Sequence, residues 1–190
     1  MTIPKAKIFI CFYLCLTCSI SLSGEASPTK SKTKSCRQSV ESFYKWYLTI
    51  SLKNDSVPPS DRAVKDRSYL FSPELVWRLR EQSEVQDRAG SNLVSLDIDP
   101  FSGPDGRGDR FLVEKITIMN AQCLAEIHAV RGGVEDELPD VTSESALKHG
   151  QWIFVNFYYL DPKRPWNLLG ALKEARKSWK ADGFLKDNKH

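Results

Sequence analysis

Four aspartates, Asp97, Asp99, Asp105 and Asp109, fall in one short run that also holds two prolines and three glycines. A hard cation such as Ca²⁺ takes about six to eight oxygens from carboxylates and carbonyls on a flexible loop. This run could supply several of them. The EF-hand pattern fails, however, because Phe101 stands where a third oxygen ligand belongs and no glutamate closes the loop. The competing reading is a turn whose Asp side chains accept hydrogen bonds from their own backbone. Arg107-Gly108-Asp109 spells an adhesion tripeptide, a match too short to assign anything.

Glu126 and His128 share one face of a predicted strand, Cys123 to Val130, with Cys123, Ala125, Ile127 and Ala129 on the other. His149 precedes Gly150. An acid–base or metal site here needs a third partner that the sequence does not place. The chain contains neither a Gly-x-Ser-x-Gly elbow nor a His-Glu-x-x-His helix motif. No catalytic residue is assigned, and no cofactor is expected.

Aromatic residues offer the third candidate. Phe43, Tyr44, Tyr47, Trp152, Phe154, Tyr158 and Tyr159 could line the mouth of a curved sheet around a small apolar ligand. Equally they could fill a core, and the large area that each ring buries favours that reading. The binding candidates are therefore Tyr44, Tyr47, Trp152 and Tyr158, with Glu126 and His128.

The elements that must position these groups can be read from periodicity. Val40, Phe43, Tyr44, Tyr47 and Leu48 fall on one face of a helix starting near Ser35, where Ser35 and Gln38 have capping-box spacing. Asp61 to Arg67 reads as a short helix. Ser72-Pro73-Glu74 starts another, with Leu75, Val76 and Leu79 buried and Gly90 ending it. Strands are expected over Leu93–Ile98, Arg110–Met119 and Cys123–Val130, with Glu114 breaking the alternation of the second. Val134 to Ser145 reads as an acidic loop. Trp152 to Leu160 is apolar on both faces, which suggests a central strand. Asn167 to Asp182 reads as a helix stopped by Gly183.

The chain has 190 residues, enough for one domain, and its 41% hydrophobic and 27% charged content is that of an ordinary globular fold. The formal charge of +3 includes Lys5 and Lys7. With no basic stripe carrying interleaved aromatics, nucleic acid is not an expected partner. Lys5 and Lys7 precede an apolar run from Ile8 to Leu22, and small residues follow it: a signal peptide over residues 1–26. Residues 27–34 read as a disordered leader and 35–186 as a single α+β domain. Cys15 and Cys18 lack the neighbours of a lipid-attachment site, so membrane attachment is expected only if the signal stays uncleaved or is lipidated. Cleavage leaves Cys36 and Cys123, a candidate disulfide in an oxidising compartment.

Several stretches resemble the bacterial domain-of-unknown-function 3828 family. They are Ser42-Phe43-Tyr44-Lys45-Trp46-Tyr47-Leu48, Leu70-Phe71-Ser72-Pro73-Glu74-Leu75, Leu96-Asp97-Ile98-Asp99-Pro100-Phe101, Val155-Asn156-Phe157-Tyr158-Tyr159 and Asn167-Leu168-Leu169. The resemblance implies an exported envelope protein and a cone-shaped α+β fold of the nuclear-transport-factor-2 type: a curved antiparallel sheet packed by N-terminal helices, with a C-terminal helix. It implies no catalytic residues. Gly106 to Asp109 lengthens the central turn relative to that family. Three functional classes follow as expectations. The first is a non-enzymatic exported module that binds a protein or envelope component. The second is a small-molecule-binding or hydrolase-like protein that uses the cone interior. The third, a periplasmic immunity protein, fits size and compartment with no residue to support it.

Overall fold

The computed structural model describes residues 28–53, 56–90, 96–103, 106, 108–160 and 166–185. The expected signal peptide, residues 93–95 of the first expected strand, and Asp105 and Arg107 lie outside them. No helix of the described residues is long and apolar enough to cross a membrane.

Helix α1 spans Pro28–Ser51. Residues 28–34 are thus helical and not a disordered leader. Lys, Ser and Thr cost only tenths of a kcal/mol in a helix that packing further along has nucleated. Ser35 lies inside α1 and does not cap it. Its hydroxyl donates to the Lys32 carbonyl and accepts from Trp152 Nε1, both at 3.0 Å. Helix α2 (Pro59–Asp66) and a 3₁₀ turn (Ser68–Leu70) lead to α3 (Pro73–Ala89). Ser72 caps α3 by accepting from Leu75 N, and Gly90 ends it with φ +64°. Both ends of α3 match the sequence signals.

The sheet follows: β1 (Arg110–Met119), β2 (Gln122–Arg131), β3 (Val134–Glu135), β4 (Val141–Lys148), β5 (Gln151–Tyr159) and β6 (Trp166–Asn167). Its antiparallel order is β1-β2-β4-β5-β6, with β3 paired to β2. The sheet is curved and unclosed. Helix α4 (Leu168–Ala181) closes the chain, capped by the Asn167 side chain on Gly170 N at 2.8 Å. The fold is α+β, with N-terminal helices packed on the curved sheet and a helix at the C-terminal end.

Three expectations about the strands also fail, each for a physical reason. Strand β4 lies partly where an acidic loop is expected. Its inward positions are Val141, Ser143, Ser145 and then Leu147, and the serines hide the apolar alternation. They are small because Ser143 faces Phe157 and Ser145 faces Phe154 across the β4–β5 pair. Residues 96–98 form no strand; instead Asp99 bridges to Gly103. Strand β5 is not central, since only the two-residue β6 lies beyond it. A register shift opposite Glu144 and Ser145 lets Phe154 and Phe157 both point inward, so β5 reads as apolar on both faces.

Cys36 and Cys123 form a disulfide, with Cα atoms 6.6 Å apart. That separation is within the range a disulfide tolerates. Because α1 starts at Pro28, Cys36 sits in its third turn, and the bond ties the body of α1 to the start of β2.

Candidate functional site

The central turn packs on the aromatic core through Phe101. The Asp99 carboxylate accepts from Phe101 N at 2.8 Å and Ser102 N at 3.2 Å, while Gly103 N donates to the Asp99 carbonyl at 2.9 Å. This is the Asx-type turn of the competing sequence reading. Gly103 is required: at φ +83°, a Cβ there would meet the Asp140 carbonyl at 3.0 Å. Three tyrosine hydroxyls hold the turn from inside. Tyr47 donates to Asp99 at 2.6 Å, Tyr44 to the Phe101 carbonyl at 2.9 Å, and Tyr159 to the Pro100 carbonyl at 2.7 Å. Burial, seconded by the Asp99 carboxylate, pushes the Tyr47 hydroxyl well above its ordinary range. Tyr44 is raised by the same two causes, and Tyr159 chiefly by burial.

Phe101 is wholly buried. Its ring packs on Phe43, Tyr47, Phe71 and Phe157 with centroids 5.0–5.5 Å apart. Such ring pairs contribute about 0.5–1.5 kcal/mol each beyond the area they bury. The aromatic candidates are therefore distributed as follows. Tyr44, Tyr47 and Trp152 are core residues. Tyr158 lies on the opposite face, half-buried, and donates to Glu144 at 2.7 Å. They do not line a shared opening.

The proposed cation ligands are not gathered either. Asp97 is exposed, Asp99 is committed to the turn, and Asp109 accepts from Gly132 N at 2.7 Å. Among the described residues these three form no metal-binding group. Gly108 of the adhesion tripeptide is buried, with 2.7 Å from its ideal Cβ position to the Val130 carbonyl.

His128 meets partners that the sequence does not place. It lies on the outer face of β2 yet is buried. Nδ1 is 3.1 Å from the Asp136 carbonyl and 3.5 Å from Glu135 Oε1, while Nε2 faces Glu114 Oε2 at 3.8 Å. Glu126, its expected neighbour in function, instead pairs with Lys115 at 3.0 Å. Turn residue His149 is exposed at φ +49° in the β4–β5 hairpin, apart from this group.

No family model, curated protein or solved structure matches the chain.

Glu114 and Glu135 are the site residues that sequence reasoning missed. For Glu114 the signal was present as its break in strand alternation. The β1–β2 register shifts between Val113 and Ile116, a bulge that leaves Glu114 and Lys115 both exposed, and Glu114 lies on the face of Leu112, the residue paired with His128. The Arg37 guanidinium satisfies the carbonyls of Val113 and Glu114 that the bulge exposes, the second at 2.7 Å. Bulges commonly re-aim side chains. Glu135 had no signal, since it lay in a stretch read as loop.

A surface groove of about 580 Å³ runs between α3 and the residues after α4, lined by Trp77, Arg88 and Phe184 among others. The Arg78 and Arg176 guanidinium carbons lie 4.7 and 5.3 Å from the Trp77 ring centroid. None of the candidate binding or metal residues of the sequence lines it.

Proposed function

We propose that the chain is an exported, non-enzymatic binding module for a protein or an envelope component. One observation carries this reading: the concave face of the sheet is packed with aromatic rings and stoppered by Phe101, which leaves recognition to the outer surface. A ligand-binding or hydrolytic pocket of ordinary size needs several hundred cubic ångströms with convergent polar groups. Here the inward hydroxyls of Tyr44, Tyr47 and Tyr159 are bonded to the turn. Export is supported by the charged and apolar sequence of residues 5–22 and by the disulfide, a bond that persists in oxidising compartments. The family resemblance and its nuclear-transport-factor-2-type cone belong to the same reading.

The test is affinity capture by the exported chain from envelope extracts, followed by mass spectrometry. A stoichiometric protein or envelope polymer is expected, together with a mature amino terminus between Gly24 and Ser27. A small molecule co-purifying from the interior, or an intact Met1 on cytoplasmic protein, would overturn the corresponding half of the proposal.

A further inference from the structure

We propose that His128, Glu114 and Glu135 bind a borderline divalent metal ion, with Zn²⁺ the best match. The three residues come from β2, the β1 bulge and β3. One donor atom from each lies within 4.8 Å of the other two.

The imidazole is prepared for a metal. A backbone carbonyl can only accept, so the 3.1 Å contact with Asp136 places a hydrogen on Nδ1. In the Nδ1–H tautomer the lone pair lies on Nε2, which faces the Glu114 carboxylate at 3.8 Å, beyond hydrogen-bond length. Metal-binding histidines commonly have their second ring nitrogen bonded to a carbonyl or carboxylate in this way. The His128 side chain is only 5% exposed, so its orientation is set by packing.

The carboxylates can close on an ion. Zn²⁺ holds nitrogen and oxygen ligands at about 2.0–2.2 Å. Glu114, 52% exposed, already faces Nε2 and has its backbone held by Arg37, whereas Glu135, 33% exposed, lies 3.5 Å from Nδ1 and must rotate its side chain to reach the Nε2 side. Two cations of the neighbouring strands are paired with other carboxylates. Lys115 pairs with Glu126, and Arg131 pairs with Asp136 and Asp140. Two carboxylates beside the imidazole present negative charge that a dication would neutralise.

One imidazole with two carboxylates selects the metal class. Nitrogen–oxygen sets suit Zn²⁺ and its neighbours in the first transition row, whereas Ca²⁺ and Mg²⁺ take oxygen ligands. Three protein ligands leave a fourth position for water or for a group from a partner.

The experiment is calorimetric titration of the purified, tag-free, chelator-treated chain with ZnCl₂, and separately with CoCl₂ while recording the visible spectrum. The expected result is one saturable site per chain and Co²⁺ d–d bands of a nitrogen–oxygen site. E114Q and E135Q should each weaken binding at least tenfold, and H128Q should abolish it. H149N should leave binding unchanged. Glu114 is exposed, so E114Q decides the matter if H128Q fails to fold. The absence of saturable Zn²⁺ binding would overturn the proposal. So would binding that survives E114Q and E135Q, which would be adventitious surface binding.

Discussion

The Tyr47 hydroxyl donates to the Asp99 carboxylate at 2.6 Å and so joins the first helix to the central turn across 52 residues of sequence. Asp99 uses its other bonds on Phe101 N and Ser102 N, so this one carboxylate both shapes the turn and anchors it. Through it, Phe101 is held among the rings of α1 and β5. Tyr47→Phe keeps the ring and removes the anchor. It is expected to lower unfolding free energy by about 1.5–3 kcal/mol, the scale of a hydrogen bond to a charged group. Urea denaturation followed by tryptophan fluorescence would measure it; an unchanged midpoint would show that the turn holds itself.

Alkaline pH should loosen the same anchor. The hydroxyls of Tyr44, Tyr47 and Tyr159 are raised in the folded state, first by burial. The folded chain therefore keeps protons that the unfolded chain releases near pH 10. Above that pH the unfolded state binds fewer protons, so stability falls as pH rises; below it, these groups contribute no slope. Urea midpoints from pH 8 to 11 should be flat at first and then decline. The decline should be shallower in Tyr159→Phe. A flat profile throughout would contradict the burial of these hydroxyls.

Reduction of the Cys36–Cys123 bond should cost about 2–5 kcal/mol. The bond closes a loop between residues 87 apart in sequence, and both cysteines are buried. Thiol labelling of unfolded, unreduced protein should find neither cysteine reactive. Two reactive thiols would show that the pair is not bonded in the isolated chain.

Millimolar Ca²⁺ should leave the melting temperature unchanged. The carboxylates of Asp99 and Asp109 already accept backbone N–H groups at opposite ends of the turn. A ligand that bound the folded state alone would raise the melting temperature saturably, and such a rise would show that the aspartates converge on an ion after all.

Much of the fold was legible because it rests on strong local signals. The Ser72-Pro73-Glu74 start of α3, the glycines after α3 and α4, and the apolar stripe of α1 act within a turn or two of chain. The Asp-Pro-Phe turn was also visible as a break, but not as the stopper of the core. That role depends on tyrosines 52 to 59 residues away in sequence. Strand β4 was hidden because close packing against Phe154 and Phe157 selects serine at its inward positions. His128 was visible alone. Its companions required a bulge and a short hairpin return, both of which are set by tertiary contacts.

The most direct measurement of the sealed interior is NMR of the aromatic side chains during titration with benzene, a ligand that enters dry apolar cavities. The wild-type resonances of Phe43, Phe71 and Phe157 should not move. In Phe101→Ala, where removing the ring should open a cavity and cost about 3–5 kcal/mol, the same resonances should shift saturably. Saturable shifts in the wild type would show an interior open to ligands, and would contradict the placement of recognition on the outer surface.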